Sequence, residues 1–375
     1  MSVRPFTDER HDRLREKVGA LAARLPATRA PGDAARALAA AGLFELCAPA
    51  ERGGAAGSVS PLGLVVAREA LAGVAADADA ALAVQTLTAL PIAWAGSAAQ
   101  RARLLPALAD GRALGAFALT ERASGSDVAA LATTATREAS DDQHYRIDGE
   151  KALISGALTA TTFVVFARTG AVGDKRAITA FVVPRESPGI SVAATPNLGE
   201  HELATVRLDG VRVPTEARLG AEGDGVALAL RTLELMRPTV GAAACGMAAR
   251  ALEETRARVR ERRRGGVTLG EHESVRMRLA ELATELEAAR VLVYRAAWLR
   301  ETSAADARLD GPASMAKLFA TEAAGRIVDA AVQLHGGDGV VRGGVVERLY
   351  REVRALRIYE GPSEIQKLII ARALD

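Results

Sequence analysis

Thr162-Phe163-Val164-Val165-Phe166-Ala167 is a β-branched and aromatic run in a chain where only 3% of residues are aromatic, and its reading decides the fold class. Such side chains fill a pleated surface well and lose rotamer freedom in a helix, so the run predicts a strand. Its neighbours repeat the pattern. Tyr145-Arg146-Ile147, Ile178 to Val183, Ile190 to Val192 and Val206-Arg207-Leu208 are short apolar runs of the same kind. Asp148-Gly149 and Asp209-Gly210 read as the tight turns between them. Residues 116–221 are therefore expected to form a small β-domain.

On both sides the period changes. Over residues 1–115, Leu14, Val18, Leu21 and Leu25 recur at helical spacing, and Pro31 begins a new segment. Gly53-Gly54 and Gly57 mark a loop, Pro61 opens an apolar helix through Leu71, and Ala98 to Leu108 is a further helix stopped at Asp110-Gly111. The apolar stretch from Ala80 to Gly96 contains Gln85 and Pro91, is too short to cross a bilayer comfortably, and reads as a buried helix broken near the proline. Over residues 222–375 four helices are expected: Gly223 to Arg264, Glu271 to Thr302, Pro312 to Gly336 and Pro362 to Ala373. Long helices with short connections pack as a bundle. The order is α, β, α, an α+β chain in three parts.

Composition narrows the function. Of 375 residues 49% are hydrophobic, ample for a sizeable core, and alanine, leucine and valine must build most of it. The formal charge of +2, with acids and bases interspersed, gives no nucleic-acid-binding surface. Arg260, Arg262, Arg263 and Arg264 form a short basic run, either a solvated helix end or a site for an anion such as phosphate. Cys47 and Cys245 stand far apart in apolar surroundings, which predicts two reduced thiols and neither disulfide nor metal. Met1 to Arg10 has no signal-peptide character. A soluble, cytoplasmic protein without a membrane segment is expected.

Three segments carry chemistry. Ala118-Leu119-Thr120-Glu121-Arg122-Ala123-Ser124-Gly125-Ser126-Asp127 joins the first helical part to the β-domain. A turn of this kind exposes backbone N–H groups that hold an anion, and Ser126 adds a hydroxyl. Gln333-Leu334-His335-Gly336-Gly337-Asp338-Gly339 follows a helix, where a cap explains one glycine and three invite a closely approaching ligand. Arg357-Ile358-Tyr359-Glu360-Gly361-Pro362-Ser363-Glu364-Ile365-Gln366 places Glu360 on a loop before a helix, with Pro362 near the first helical position. Taken singly, each is an ordinary structural feature: a serine-rich turn, a helix cap, a surface carboxylate beside a helix dipole.

In this order and spacing the three segments closely resemble the acyl-CoA dehydrogenase family. The resemblance extends to Gly210-Val211-Arg212-Val213-Pro214 with Leu219-Gly220, Gly223-Asp224-Gly225, Leu233 to Pro238 and Arg262 to Glu273, and runs from about residue 35 to the end. It implies an N-terminal helical domain, a middle β-barrel and a C-terminal four-helix bundle. It also implies FAD held between the middle and C-terminal domains and against a neighbouring subunit, in a homotetramer built as a dimer of dimers.

By that resemblance Thr120 contacts the flavin ring, Ser126 the FAD phosphates and, in addition, the substrate, and Ser155 lies near flavin N5. Arg262 matches an arginine that reaches the pyrophosphate of FAD in the partner subunit, and Gln333 and Gly337 match the loop at the adenosine end. Leu119, Gly125, Leu153, Gly336 and Ser363 fall in the cofactor's surroundings. Glu234 and Arg237 match substrate-side positions on the first bundle helix, and Gly361 packs near the thioester.

Family members carry the catalytic glutamate either on the C-terminal loop or on that first bundle helix. Here the helix position is Met236, which takes no proton. Glu234 lies two residues earlier, roughly 200° around the helix, and points elsewhere. Glu360 is therefore the expected base. The resemblance implies an acyl-CoA whose thioester carbonyl is polarised by an FAD ribityl hydroxyl and by the Glu360 N–H. Glu360 takes the α-proton while the β-hydrogen leaves as hydride to flavin N5, giving a trans-2-enoyl thioester. The helix N-terminus favours the Glu360 carboxylate and burial opposes it; with substrate bound, burial is expected to win and raise the pKa.

The sequence departs from the family pattern at five places. Leu153 stands for a tryptophan stacked on the flavin, Gly265 for a phenylalanine, Glu273 for a glutamine, Pro362 for a threonine and Arg122 for a proline. These changes remove aromatic packing and polar contacts around the cofactor and leave Glu360, Thr120 and the Ser126 turn in place. An electron-transfer flavoprotein is the expected electron acceptor. Alternative readings are the same chemistry on an acyl-carrier-protein thioester, a flavin oxidase or monooxygenase, and a flavin-free helical interaction protein.

Overall fold

The computed structural model describes residues 5–25, 32–48, 59–138, 141–171, 174–199, 201–304 and 307–374. Pro31 and the loop at Gly53-Gly54 and Gly57 lie outside them. The first part is helical: α1 (Glu9–Ala22), α2 (Asp33–Ala40), α3 (Pro61–Ala72), α4 (Ala76–Ala95) and α5 (Ala98–Ala109). Ser60 caps α3, its hydroxyl accepting from the Gly63 N–H, and Ser97 and Gln100 form a reciprocal capping box on α5. Leu25 lies beyond the end of α1.

α4 corrects one expectation. It runs unbroken through Pro91, because Leu90, Pro91 and Ile92 are buried in a packed core that outweighs the one hydrogen bond a proline removes. By length and composition α4 could cross a membrane, yet most of it is buried inside the fold.

The middle part holds β1 (Gly115–Ala118), β2 (Thr134–Glu138), β3 (Asp141–Ser155), β4 (Thr162–Arg168), β5 (Ile178–Pro184), β6 (Ile190–Ala194), β7 (Leu203–Pro214) and β8 (Arg218–Leu219). They form one eight-stranded sheet in the order β6-β7-β3-β2-β4-β5-β8, with β1 parallel to β4. β4 is buried along its whole length. Alternation sends Phe163 and Val165 into a core shared with β3, β5 and β7, so the sheet curls on itself, and sends Val164 and Phe166 against the N-terminal helices.

Asp148-Gly149 and Asp209-Gly210 are not hairpin turns. They sit inside β3 and β7 at facing bulges, where the register slips between Ile147 and Gly149. The Asp148 carboxylate accepts from the Gly210 N–H at 2.7 Å, so the residues that usually make a turn instead satisfy the irregular ladder.

The last part is α6 (Gly225–Glu261), a short hairpin of β9 (Arg263–Arg264) and β10 (Val267–Thr268), then α7 (Glu273–Thr302), α8 (Asp310–His335), α9 (Val345–Leu356) and α10 (Ser363–Arg372). The expected first helix thus stops before Arg263, since Gly265 and Gly266 make the turn at φ 61° and 89°. A phenylalanine at Gly265 would be strained in this conformation. α9 was not among the four expected helices. Val346, Leu349, Val353 and Leu356 bury its one apolar face against α6 and α8, and a helix whose other positions are mostly charged is hard to tell from a solvated segment. Pro362 is the N-cap of α10, one place before the first helical position. The bundle core is shared by α6, α7, α8 and α9 with Leu62, Val65 and Val66 of α3, so the two helical parts are one packed body.

Candidate functional site

A cavity of about 380 Å³ opens where the three parts meet, within the size range of small-molecule sites. Its walls come from α3, α4 and α6, from the 119–128 turn and the end of β3, and from α9 and the 358–362 loop. α4 presents Ala76, Ala80, Ala83 and Leu87 at helical spacing, a wall of mostly small apolar side chains.

Glu360 lines this cavity, held by a loop of unusual conformation. Its φ is 53° and that of Gly361 is 90°. Lys317 Nζ donates to the Gly361 carbonyl at 2.7 Å, and Gln366 Nε2 donates to the Gly361 and Glu360 carbonyls at 2.8 and 3.2 Å. Glu360 Oε2 is sealed from solvent and has no hydrogen-bond partner. Burial pushes this carboxyl up to about 7, against the opposing charges of Arg68, Lys317 and Arg237 and with a small added push from Asp79. Burial therefore outweighs the charges already in the chain alone. At the other position considered for a base, Met236 is fully buried with Leu64, Ala83 and Leu90.

The 119–128 turn is fixed by a buried ion pair. Glu121 accepts from Lys151 Nζ at 2.7 Å, from the Thr133 hydroxyl at 2.5 Å and from the N–H groups of Ala132 and Thr133. Lys151 also donates to the Leu119 carbonyl, and the Ala152 N–H donates to Thr120. Burial pushes Glu121 up, and the Lys151 charge with these hydrogen bonds outweighs it, leaving the carboxylate favoured. Burial pushes Lys151 down to about 8. With so many donors on Glu121 and 2.7 Å between the charges, both groups are ionised at neutral pH.

Of the residues expected at the site, Leu119, Thr120, Gly125, Ser126, Leu153, Ser155, Arg237, Glu360 and Gly361 line the one cavity. Arg237 is buried with its Nε unpartnered. Glu234 does not line it and lies 3.5 Å from Arg300. Ser363 lies just outside, donating to Glu322 at 2.6 Å. Arg262, Gln333, Gly336 and Gly337 are exposed and lie elsewhere. Arg262 is 25 residues beyond Arg237 along α6, roughly 37 Å at 1.5 Å per residue.

Sequence reading missed Arg68, Asp79 and Lys317. Arg68 and Asp79 form a bidentate pair at 2.7 and 2.8 Å in the cavity wall, both almost fully buried, and Arg68 also donates to Thr239 at 2.8 Å. Each of the three is a charged residue at the edge of or within a run of apolar helical residues, Arg68 after Leu64-Val65-Val66-Ala67, Asp79 before Ala80-Ala81-Leu82-Ala83-Val84 and Lys317 between Met315-Ala316 and Leu318-Phe319. That was the available signal, since such residues are almost never fully buried unless paired.

The residues suit an FAD molecule. The hydroxyls of Thr120, Ser126 and Ser155 line the cavity and make no hydrogen bond with other described residues. Leu153 holds a half-exposed side chain over it from a backbone at φ 58°, and a Cβ placed on Gly125 would meet open space. Free hydroxyls beside an apolar platform match a ring system with a polar edge.

Comparison with known proteins agrees along the whole chain. Family models for the acyl-CoA dehydrogenase N-terminal, middle and C-terminal domains match residues 3–112, 116–212 and 223–374. Cyclohexane-1-carbonyl-CoA dehydrogenase of Geobacter metallireducens is 36% identical over 99% of this chain and 97% of its own length. The Caffeyl-CoA reductase-Etf complex subunit CarC of Acetobacterium woodii is 33% identical over 89% of this chain and 87% of its own. The solved structure of butyryl-CoA dehydrogenase from Megasphaera elsdenii superposes with a TM-score of 0.90 at 28% identity, covering 98% of each chain. With a cavity built for a flavin, a sealed carboxyl beside it and three domain models matched in order, this chain belongs to the acyl-CoA dehydrogenase family of FAD-dependent oxidoreductases.

Proposed function

We propose that the protein oxidises an acyl-CoA thioester between Cα and Cβ, with Glu360 removing the α-proton. One observation carries the reading: Glu360 Oε2 is buried in the cavity wall without a partner, on a carboxyl raised to about 7. A base of that strength is half ionised near neutral pH and strong enough to take a proton when the acid is activated. The activation needs donors at the thioester oxygen, and the Glu360 N–H, which donates to nothing in the described chain, is one. FAD, when bound, accepts the β-hydrogen as hydride. Thr120, Ser126 and Ser155 would hold it by hydrogen bonds and Leu153 would cover one face, with Leu119 and Gly125 shaping the turn beneath. Arg237 and Gly361 would border the thioester, while Glu234 pairs with Arg300 outside the cavity lining.

Distance supports an assembly of several copies. Arg262, Gln333, Gly336 and Gly337 are too far along α6 and α8 to serve this cavity, and would complete the cofactor site of a second copy. A dimer of dimers fits this arrangement, and we propose a cytoplasmic location and an electron-transfer flavoprotein as electron acceptor; one relative is named as a subunit of a reductase-Etf complex.

The test is an anaerobic titration of the FAD-loaded protein with acyl-CoAs and acyl-pantetheine carriers, following flavin absorbance. Bleaching by an acyl-CoA is expected, and Glu360→Gln should keep FAD and lose reduction. Bleaching only by a carrier-bound thioester would move the substrate to the carrier class. Failure with every thioester, or rapid reoxidation by oxygen with stoichiometric peroxide, would overturn the assignment.

A further inference from the structure

Lys317 is fully buried in α8, and among the described residues it forms no ion pair within salt-bridge distance. A buried ammonium without a carboxylate partner is poorly placed if its task is packing, because an apolar side chain would fill the same space without a desolvation penalty. Its hydrogen bond goes to Gly361 O at 2.7 Å, on the residue after the base. That carbonyl also accepts from Gln366 Nε2, which reaches Glu360 O as well. Two adjacent carbonyls are thus drawn toward α8 and α10, on a segment whose backbone is left-handed at two successive residues. For a glutamate that conformation is disfavoured, and it persists only where the surroundings hold it. A Cβ on Gly361 would come 2.7 Å from Gln366 Nε2, so the anchoring leaves no spare room.

We propose that Lys317 is a positioning residue for Glu360: its ammonium, bonded to the Gly361 carbonyl, locks the loop so that the carboxylate faces the cavity. The proposal rests on Glu360 being the base. The charge matters as well as the bond. Glu360 is faced by Arg68 from α3, Asp79 from α4, Arg237 from α6 and Lys317 from α8, with Tyr359 beside it. Lys317 is itself faced by Glu360, Arg237, Glu322 and Glu364, and burial pushes it down to about 8. Its positive charge therefore favours the ionised base at neutral pH and fades in mildly alkaline solution.

The experiment uses FAD-loaded full-length Lys317→Met, Lys317→Gln, Lys317→Arg and Glu360→Gln. Single-turnover flavin reduction by an acyl-CoA is followed between about pH 5 and 9, and the crystal structure of each variant is determined. Lys317→Met should lose about 100-fold in limiting rate, as expected for a misplaced base, and its midpoint should rise by roughly one pH unit. Its Glu360 backbone should leave the positive-φ region. Lys317→Arg should restore the midpoint. Lys317→Gln keeps a donor without the charge, so it should hold the backbone and still raise the midpoint; it decides the matter should Lys317→Met not fold. An unmoved midpoint and an unmoved Glu360, with any rate loss tracking lost FAD, would overturn the proposal and leave Lys317 a structural residue. Normal reduction by Glu360→Gln would instead overturn the base itself.

Discussion

Leu153 and Glu360 are the two non-glycine residues of the described chain held at positive φ, 58° and 53°, and both line the same cavity. Each left-handed non-glycine residue costs about 1–2 kcal/mol, so something must hold it. Leu153 lies where β3 slips register against β7 between Lys151 and Ile154, beside the buried Glu121–Lys151 pair. Glu360 is held by the donors of Lys317 and Gln366. The strain sits on the apolar platform and on the base, and the rigid parts lie behind them.

Leu153→Gly should separate the two contributions of that platform. Relief of the left-handed strain roughly offsets the added flexibility of glycine, each about 1 kcal/mol, so urea unfolding of the FAD-free protein should change little. FAD affinity, measured by equilibrium dialysis, should fall severalfold for want of the side chain. Unchanged affinity would show that Leu153 does not face the cofactor.

Glu360→Gln should alter how stability depends on pH. The folded carboxyl titrates near 7 and an unfolded one near 4.5, so the folded state binds more protons between these values. The stability this group contributes is complete below about pH 4.5 and is lost as pH rises through 7. The FAD-free glutamine variant should match the parent in acid and exceed it at pH 8 by about 3 kcal/mol in urea unfolding. Parallel curves across this range would mean that the carboxyl is not buried in solution.

Glu121→Gln leaves the Lys151 ammonium buried without its counter-charge. A loss of about 3–5 kcal/mol is expected, and because the pair braces Leu119 and Thr120 the protein should also purify with less FAD. Full FAD content with normal unfolding would show that the turn is fixed by its backbone alone.

Asp79→Asn strands the Arg68 guanidinium in the cavity wall. Stability should fall by about 3–5 kcal/mol. Asp79 adds to the rise in the Glu360 pKa and Arg68 opposes it, so removing the aspartate charge lowers that pKa. The midpoint of flavin reduction against pH should move downward. An upward shift would mean that Arg68 leaves its place once unpaired.

Local chemistry made much of this protein legible. The β-branched run from Thr162 to Ala167 and the long apolar periodicities gave helix, sheet, helix because those patterns depend only on near neighbours. Order and spacing of the Ser126, Gln333 and Glu360 segments likewise pointed to the family, and Met236 left Glu360 as the sole candidate for the base. Features that depend on distant partners stayed hidden. Pro91 remains within α4 because a packed core surrounds it, and Asp148-Gly149 became a bulge because β7 carries a matching irregularity. Glu360 shows the division most clearly. As a residue type before a helix it was an ordinary surface acid. Burial raises its pKa, with a small push from Asp79 and against the charges of Arg68, Arg237 and Lys317, while Lys317 and Gln366 hold its left-handed backbone; α3, α4, α6, α8 and α10 bring these groups around it, and burial and charge of that kind arise only in three dimensions.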